Sequence, residues 1–387
     1  MSIFTNTRVQ CMTNFDHLPN RHNTGSYKWD KYKNTDIIPL WVADMDFVSP
    51  PCISEAMIES AQFGVFGYSE ATESCEQAFI NYVSEHHNIK PKAQELFWLP
   101  GLVCALHAVC RAYTQPGDEV ITFTPIYPPF LYAPGNSGAK TVEVPLDPET
   151  HRPNMAWLRN AINEQTKVLL LCNPHNPVGI CFSKEELAEI ATICLENNIV
   201  LCSDEVHCDL ILDPESQHHS IATISPEIAQ QSVTLMAPSK TWNIAGLGCS
   251  IAYIPNDSLR RKFIRECRGK IPETNIAGLV AGEAAYRDGE SWRLEVIDYL
   301  RGNLDLIEKF VAESNGKIRM QRPSATYLAW LDFRESGLAN PAKELEAAGV
   351  GLSDGKDFGL AGYMRLNFGC PRSLLEEALK RIKSCLT

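Results

Sequence analysis

The chain has 387 residues, of which 44% are hydrophobic and 21% charged, with a formal net charge of −12. That size and balance allow two or more domains around a large buried core, and they exclude a disordered or low-complexity chain. The acidic excess argues against nucleic-acid backbones and anionic membrane surfaces as partners.

No apolar run approaches the ~20 residues that a membrane helix needs. The first twenty residues carry no apolar stretch of the kind a secretory signal requires. The fourteen cysteines stand singly, in or beside apolar runs (Cys104, Cys110, Cys172, Cys194, Cys202), and no C-x-x-C pair occurs. Buried, reduced thiols in a cytoplasmic protein are expected from this pattern.

The first fifty residues are irregular and rich in Asn, Asp and aromatics, and read as a docked arm, with another subunit as one possible surface for it. Pro50-Pro51 starts a helix through Phe63, proline being acceptable in a first turn. Gly64 to Tyr68 forms a loop, and a helix is predicted from Ser69 to His87. From Glu95 strands and helices alternate. Strands are predicted at 95–99, 119–123, 140–144, 167–171, 199–203, 232–236 and 249–254. Helices are predicted at 101–113, 128–133 and 154–163. Ser183 and Glu186 form a capping box for a further helix whose Leu187, Ile190, Ala191 and Cys194 share one face. The short apolar strands, typified by 167–171, read as buried on both faces. Together these elements predict an α/β fold with a mostly parallel sheet between helices.

After Glu273 the pattern changes. Long helices at 275–288 and 290–314 precede hairpin-like strands at 317–321 and 326–332. A helix at 341–348, a strand at 364–368 and a terminal helix from Arg372 follow. The expected division is an arm (1–48) that joins a small α+β domain (286–387), with a large domain (49–285) between them. No internal repeat is visible.

In parallel α/β sheets, ligands bind beyond the carboxyl ends of the strands. Five loops therefore matter. Gly101-Leu102-Val103 offers free amides at a helix start, suited to a phosphate, or is an ordinary glycine turn. Tyr127 sits on a proline-stiffened loop, where its ring can stack on a flat ligand or simply pack. The two Asn-Pro steps of Asn173-Pro174-His175-Asn176-Pro177 turn the chain and expose their asparagine amides as donors. Asp204 closes an apolar strand, and a carboxylate there needs a cation or donor from a ligand or from the chain itself. Lys240, in Ala237-Pro238-Ser239-Lys240-Thr241-Trp242-Asn243, is a lysine among small and apolar residues. Desolvation there disfavours its charge and frees a nucleophilic amine; a surface lysine is the alternative. Beyond these loops, Arg365 is a cation in an apolar strand, its fork matched to a carboxylate of a substrate or of the protein. The set fits one ligand: flat, phosphorylated, with a ring nitrogen, an aldehyde for Lys240 and a carboxylate-bearing partner for Arg365. Pyridoxal phosphate with an amino-acid substrate meets these demands.

The chain resembles the fold-type-I pyridoxal-phosphate enzymes, and among them the MalY/PatB-type cystathionine β-lyases, also called cysteine-S-conjugate β-lyases. The resemblance rests on Asn14-Phe15-Asp16, Lys28-Trp29-Asp30, Trp41-Val42-Ala43-Asp44-Met45-Asp46-Phe47 and the Asn173 to Gly179 run. It extends to Ser203-Asp204-Glu205-Val206-His207, Ser239-Lys240-Thr241-Trp242-Asn243 and Arg365 to Pro371. It implies a Schiff-base lysine at Lys240, a ring-nitrogen partner at Asp204 and a ring-stacking, catalytic Tyr127. Asn176 would meet the ring hydroxyl and the substrate carboxylate, with His207 on the cofactor as well. Gly101, Leu102, Val103 and Ser239 would hold the phosphate, and Arg365 and Ala43 the substrate. Tyr68 would reach the active site of a neighbouring subunit, which implies a homodimer. Two departures weaken the phosphate end: Gly248 and Ala237 stand where many aminotransferases carry an arginine and a serine. His207 replaces a tyrosine, which puts its contact with the ring hydroxyl in question.

The reaction implied is α,β-elimination from cystathionine or a related cysteine S-conjugate to a thiol, pyruvate and ammonia. The competing readings are an aminotransferase, a non-catalytic regulator on the same fold, and a metal hydrolase built on His207, Cys202 and Cys208. The last has no zinc spacing behind it, and His86-His87 has no partner motif. No metal is therefore expected.

Overall fold

The computed structural model describes residues 13–386. Cys11 and the first twelve residues of the predicted arm lie outside them. Seven strands form the central sheet: β1 (Leu96–Leu99), β2 (Glu119–Thr124), β3 (Lys140–Pro145), β4 (Thr166–Cys172), β5 (Val200–Asp204), β6 (Ser232–Met236) and β7 (Ser250–Tyr253). Their spatial order is β1-β7-β6-β5-β4-β2-β3. The pairs among β2 to β6 are parallel, whereas β7 runs antiparallel to both β1 and β6.

Alternation along each strand builds a core on each face. In β4, Leu169 and Leu171 join one apolar cluster while Val168, Leu170 and Cys172 join the other. Leu201 and Cys202 divide the same way in β5. Each such side chain contributes about 1.5–3 kcal/mol on burial, so the sheet is the rigid base from which the strand-end loops project. The helix Lys184–Glu196 covers one face. Its capping box is formed, with Glu186 N donating to Ser183 Oγ at 3.2 Å and Ser183 N to Glu186 Oε2 at 2.7 Å. Leu187, Ile190, Ala191 and Cys194 are all buried beneath it.

Two element predictions need correction. The helix expected from Ser69 begins at Glu73, because Thr72 Oγ1 accepts from Cys75 N and caps it there. The hairpin at 317–332 does not form. Only Arg319 bridges Asp332, and β8 (Leu328–Asp332) pairs instead with β10 (Tyr363–Asn367), which also pairs with the short β9 (Ser353–Asp354). The better partner is distant in sequence, so a local reading favours the wrong neighbour.

The described part of the arm docks on its own chain. Ile38–Pro39 pairs in parallel with Val350–Gly351, and Phe15 packs edge-on against Phe47 and Trp292. Lys28 Nζ meets Asp46 at 2.7 Å with both side chains fully buried. Trp29 Nε1 and Arg21 Nη1 donate to the same carboxylate at 2.8 and 2.7 Å. Replacing Asp46 with alanine leaves the buried Lys28 ammonium with only the Asp44 carbonyl at 3.1 Å and the Asp44 carboxylate at 3.8 Å, and a loss of about 3 kcal/mol is expected. Urea unfolding measures it; a midpoint unchanged from the parent would show that the pair contributes nothing.

Candidate active site

The carboxyl ends of β1, β2, β4, β5 and β6 lie along one edge of the sheet, and a cavity of about 220 Å³ opens there. Its walls include Gly101, Leu102, Val103, Tyr127, Asn176, Asp204, His207, Ser239, Lys240, Ala43 and Arg365. Residues that the sequence scatters over more than half the chain therefore share one space. Tyr68 does not: it is fully exposed and outside this cavity.

The loop after β6 carries Lys240. Asn243 adopts a left-handed φ of 57°. Its amide accepts from Met45 N at 2.9 Å and donates to the carbonyls of Met45 and Phe47 at 2.9 and 2.8 Å. Segment 41–47, whose Val42 and Ala43 line the cavity, is thereby held in place. From the other side, Asn367 Nδ2 donates to Val42 and Asp44 carbonyls at 2.6 and 2.7 Å. Arg365 Nη2 donates to Trp41 O at 2.8 Å. The Ala43 carbonyl accepts from Lys240 Nζ at 2.7 Å and from the buried Tyr327 hydroxyl at 3.0 Å. Sequence reading missed Tyr327, whose apolar surroundings give no local sign of a site.

Three charges meet in this space. Burial and the nearby Arg365 guanidinium lower the Lys240 amine from 10.5 to about 8, against the pull of Asp44 and Asp204. A large neutral fraction near pH 7.5 follows. Burial raises Asp204 to about 7, although its carboxylate accepts from Val206 N at 3.1 Å. Among the described residues no cation pairs with it at ion-pair distance, so its second oxygen is left for a donor in the cavity. Arg365 is buried and lowered to about 10 by desolvation. Neutral oxygens hold it: Asn176 Oδ1 at 3.0 Å, Trp41 O and, at 3.4 Å, Ser353 Oγ. Its Nε has no partner among the described residues. The protein salt bridge that sequence reading left open is absent among the described residues. In the cofactor-free protein, capture of Lys240 by a small aldehyde should rise with pH and level off above about 8. Borohydride trapping and peptide mapping read this directly; a rise that continues towards 10.5, the ordinary value, would contradict the perturbed amine.

Other predicted residues divide. Asn176 gives its oxygen to Arg365, which leaves its amide nitrogen at the cavity. Asn173 does not expose its amide. It is wholly buried, donating to His219 O and accepting from Phe182 N, so it braces the loop. His207 lines the cavity, buried, with Nδ1 unpartnered; burial keeps the ring neutral well below its usual range. Tyr127 is half-buried, and burial raises its phenol, which stays protonated.

At the far end the helix Leu102–Tyr113 points its first turn into the cavity. Leu102 and Val103 amides have no intrahelical acceptor there, and the end of the helix dipole favours an anion. Gly248, Cys249 and Ser250 complete this wall, because the reversed β7 brings its amino end to the edge where the parallel strands bring their carboxyl ends. Gly248 has φ +64°, and a Cβ would stand 3.1 Å from Pro100 O. That backbone excludes an arginine without strain, which explains the departure at this position. Ser250 is occupied, donating to Leu99 O at 3.0 Å.

The model of the family "Aminotransferase class I and II" matches residues 35–382. The chain is 36% identical to cystathionine beta-lyase PatB of Bacillus subtilis over 97% of its own length and all of that protein. Among solved structures, OvoB superposes with a TM-score of 0.94 at 41% identity, covering 97% of this chain and 99% of that one. Cystalysin from Treponema denticola, a structure containing pyridoxal 5'-phosphate, superposes with a TM-score of 0.93 at 30% identity over 97% and 99% of the two chains. The resemblance carried by the motifs thus extends along the whole chain, which belongs to the class I and II aminotransferase family and, within it, to the group of the PatB-type lyases.

Proposed function

We propose that this protein is a pyridoxal-phosphate-dependent carbon–sulfur lyase acting by α,β-elimination on cystathionine or a related cysteine S-conjugate. One observation carries the reading. A single cavity holds a lysine of lowered basicity together with a buried carboxylate and a buried arginine that have no ion-pair partner among the described residues, in a chain related end to end to PatB.

Pyridoxal phosphate fits these unmet demands. Lys240 would hold its carbonyl carbon, Asp204 its ring nitrogen and Asn176 its ring hydroxyl, with Tyr127 and His207 beside the ring. The amides of Leu102 and Val103, reached past Gly101, and the Ser239 hydroxyl would hold its phosphate. When bound, the cofactor supplies an electron sink for charge developing at the substrate Cα.

The chain's own groups do the rest. Arg365 clamps the substrate carboxylate: among the described residues only neutral oxygens hold its fork, and no protein carboxylate neutralises it. The Ala43 and Trp41 carbonyls hold Lys240 and Arg365 in place on the opposite wall. Lys240, once released, is a base of suitable strength to take the proton from Cα. The Cβ–sulfur bond then breaks. Its leaving thiol, with a pKa of about 8.5, needs little acid assistance, and the protonated Tyr127 phenol is a donor on the same wall. The released enamine hydrolyses to pyruvate and ammonia.

A homodimer belongs to the same proposal. Phe63, Val65, Phe66 and Tyr68 are all exposed in one short segment, an apolar surface suited to a second copy. Tyr68 would then enter the partner's cavity.

An aminotransferase is the second reading, favoured by the family itself, and shares the machinery through proton abstraction. Incubation with cystathionine in the absence of any keto acid separates the two. Stoichiometric pyruvate and thiol are expected; no pyruvate, with rapid amino transfer once a keto acid is added, would replace lyase with aminotransferase. A panel of S-substituted cysteines then ranks the sulfur substituents.

A further inference from the structure

A second group of reactive side chains lies behind the active-site loops. His87 ends the helix Glu73–His87, Cys208 follows β5, and His218 lies in the loop beyond. All three are buried, at 8%, 4% and 7% exposure. One ligand atom from each lies within 4.8 Å of the others. They adjoin a cavity of about 160 Å³ that also meets His86, Asp209 and the exposed Gln217.

The hydrogen bonds around these rings are informative. His218 Nε2 stands 3.1 Å from Glu205 Oε2, and that carboxylate is itself fixed by Ser203 Oγ at 2.9 Å and Ile221 N at 3.0 Å. The other nitrogen of His218, Nδ1, is buried and meets no partner among the described residues. His87 Nε2 stands 2.7 Å from Asp209 Oδ1, which also accepts from the Tyr82 hydroxyl at 2.9 Å. Each ring therefore has one nitrogen oriented by a buried carboxylate, and in His218 the other is left for a different group. Histidine metal ligands are oriented in this way. An unpartnered imidazole nitrogen inside a protein otherwise costs about 1–3 kcal/mol.

We propose that His87, Cys208 and His218 form a binding site for a divalent transition metal of the zinc class. One thiolate and two imidazoles suit zinc and exclude calcium and magnesium. Zinc bonds of about 2.0–2.3 Å place tetrahedral ligands roughly 3.3–3.8 Å apart, so closing on the ion requires side-chain movements of about an ångström. The cavity supplies an entry path and the fourth position, for water or His86. Arg293 also borders it, ion-paired to Glu290 at 2.6 Å. The ion would tie the end of one helix to the loops that carry Cys208 and His218, and Asp209, which orients His87, also accepts from Thr241 Oγ1 at 3.1 Å in the loop that carries Lys240. This site is separate from the cavity at Lys240, and the proposal does not depend on the reaction catalysed there.

The sequence alone dismissed His86-His87 for want of a partner motif, because its partners come from distant loops. The hydrolase trio of His207, Cys202 and Cys208 is not what converges: Cys208 is shared, but the histidines are His87 and His218.

The test is zinc titration of the chelator-treated holoprotein by calorimetry, with Co²⁺ as a spectroscopic substitute. One equivalent of zinc per chain is expected, with a rise in melting temperature that saturates at that ratio. Cobalt should give the intense visible d–d bands of a four-coordinate site. Cys208→Ser and His218→Gln should each weaken zinc binding at least tenfold while keeping the cofactor absorbance and circular dichroism of the parent. Sub-stoichiometric zinc, or zinc affinity unchanged from the parent in both variants, would overturn the site and point to adventitious binding at the half-buried Cys52, Cys104 or Cys385. If neither variant folds, the parent decides: weak six-coordinate cobalt bands, or none, would also overturn it.

Discussion

Lys240→Ala should abolish both the visible absorbance of the lysine-bound cofactor and the elimination reaction, with turnover reduced by about 10³-fold or more. The residue carries two proposed roles, covalent anchor and base, and no other lysine lines the cavity. Its amine, lowered to about 8, is suited to both. The substitution should be structurally mild. It removes the 2.7 Å hydrogen bond to Ala43 O, but Tyr327 still donates to that carbonyl at 3.0 Å. The clamp from Asn243 to segment 41–47 does not involve the lysine side chain. Melting temperature of the cofactor-free variant should therefore match that of the cofactor-free parent. A variant that keeps either the absorbance or the elimination would displace Lys240 from the centre of the chemistry.

Asp204→Asn separates chemistry from stability by moving them in opposite directions. Asparagine keeps the shape and an oxygen for Val206 N, which now sits 3.1 Å from Asp204 Oδ1. It removes the charge that would hold a proton on the ring nitrogen, and turnover should fall by about 10²–10³-fold. Burial raises the folded Asp204 from 3.8 to about 7. A carboxyl whose folded pKa lies above its unfolded value contributes stability at low pH that is lost as pH rises through the folded value. In the cofactor-free parent, ionising Asp204 therefore costs about 4 kcal/mol across that window. The variant escapes this cost, so its cofactor-free form should be at least as stable as the parent at pH 8, by urea unfolding. Parallel loss of activity and stability would instead make Asp204 a structural residue.

Much of the architecture is legible in the residue pattern. Short runs such as 167–171 alternate between two apolar faces, and this local periodicity requires only that both faces be covered. The capping box at Ser183 and Glu186 is likewise local chemistry. Chemically unusual residues were legible for the same reason: a lysine after one strand, an aspartate at the end of another and an arginine inside a third demand partners wherever the chain places them. The hairpin at 317–332 failed because the partner that β8 takes, β10, lies beyond an intervening helix, and local sequence cannot weigh distant pairing. Asn173 and Asn176 look alike in sequence, yet one is walled in by Phe182 and His219 while the other faces the cavity. Only packing distinguishes them.

By itself, the sequence determined the α/β class, which follows from local periodicity, and it singled out Lys240, Asp204, Asn176 and Arg365 as candidates through the chemistry of short motifs; the family was legible as a resemblance carried by motifs along the whole chain. Tertiary structure decided what those residues face. The reversed direction of β7 brings Gly248 to Ser250 beside the helix start at Leu102, segment 41–47 is clamped between Asn243 and Asn367, and His87 meets His218. Strand direction and loop convergence are set by long-range burial, which no window of neighbouring residues contains.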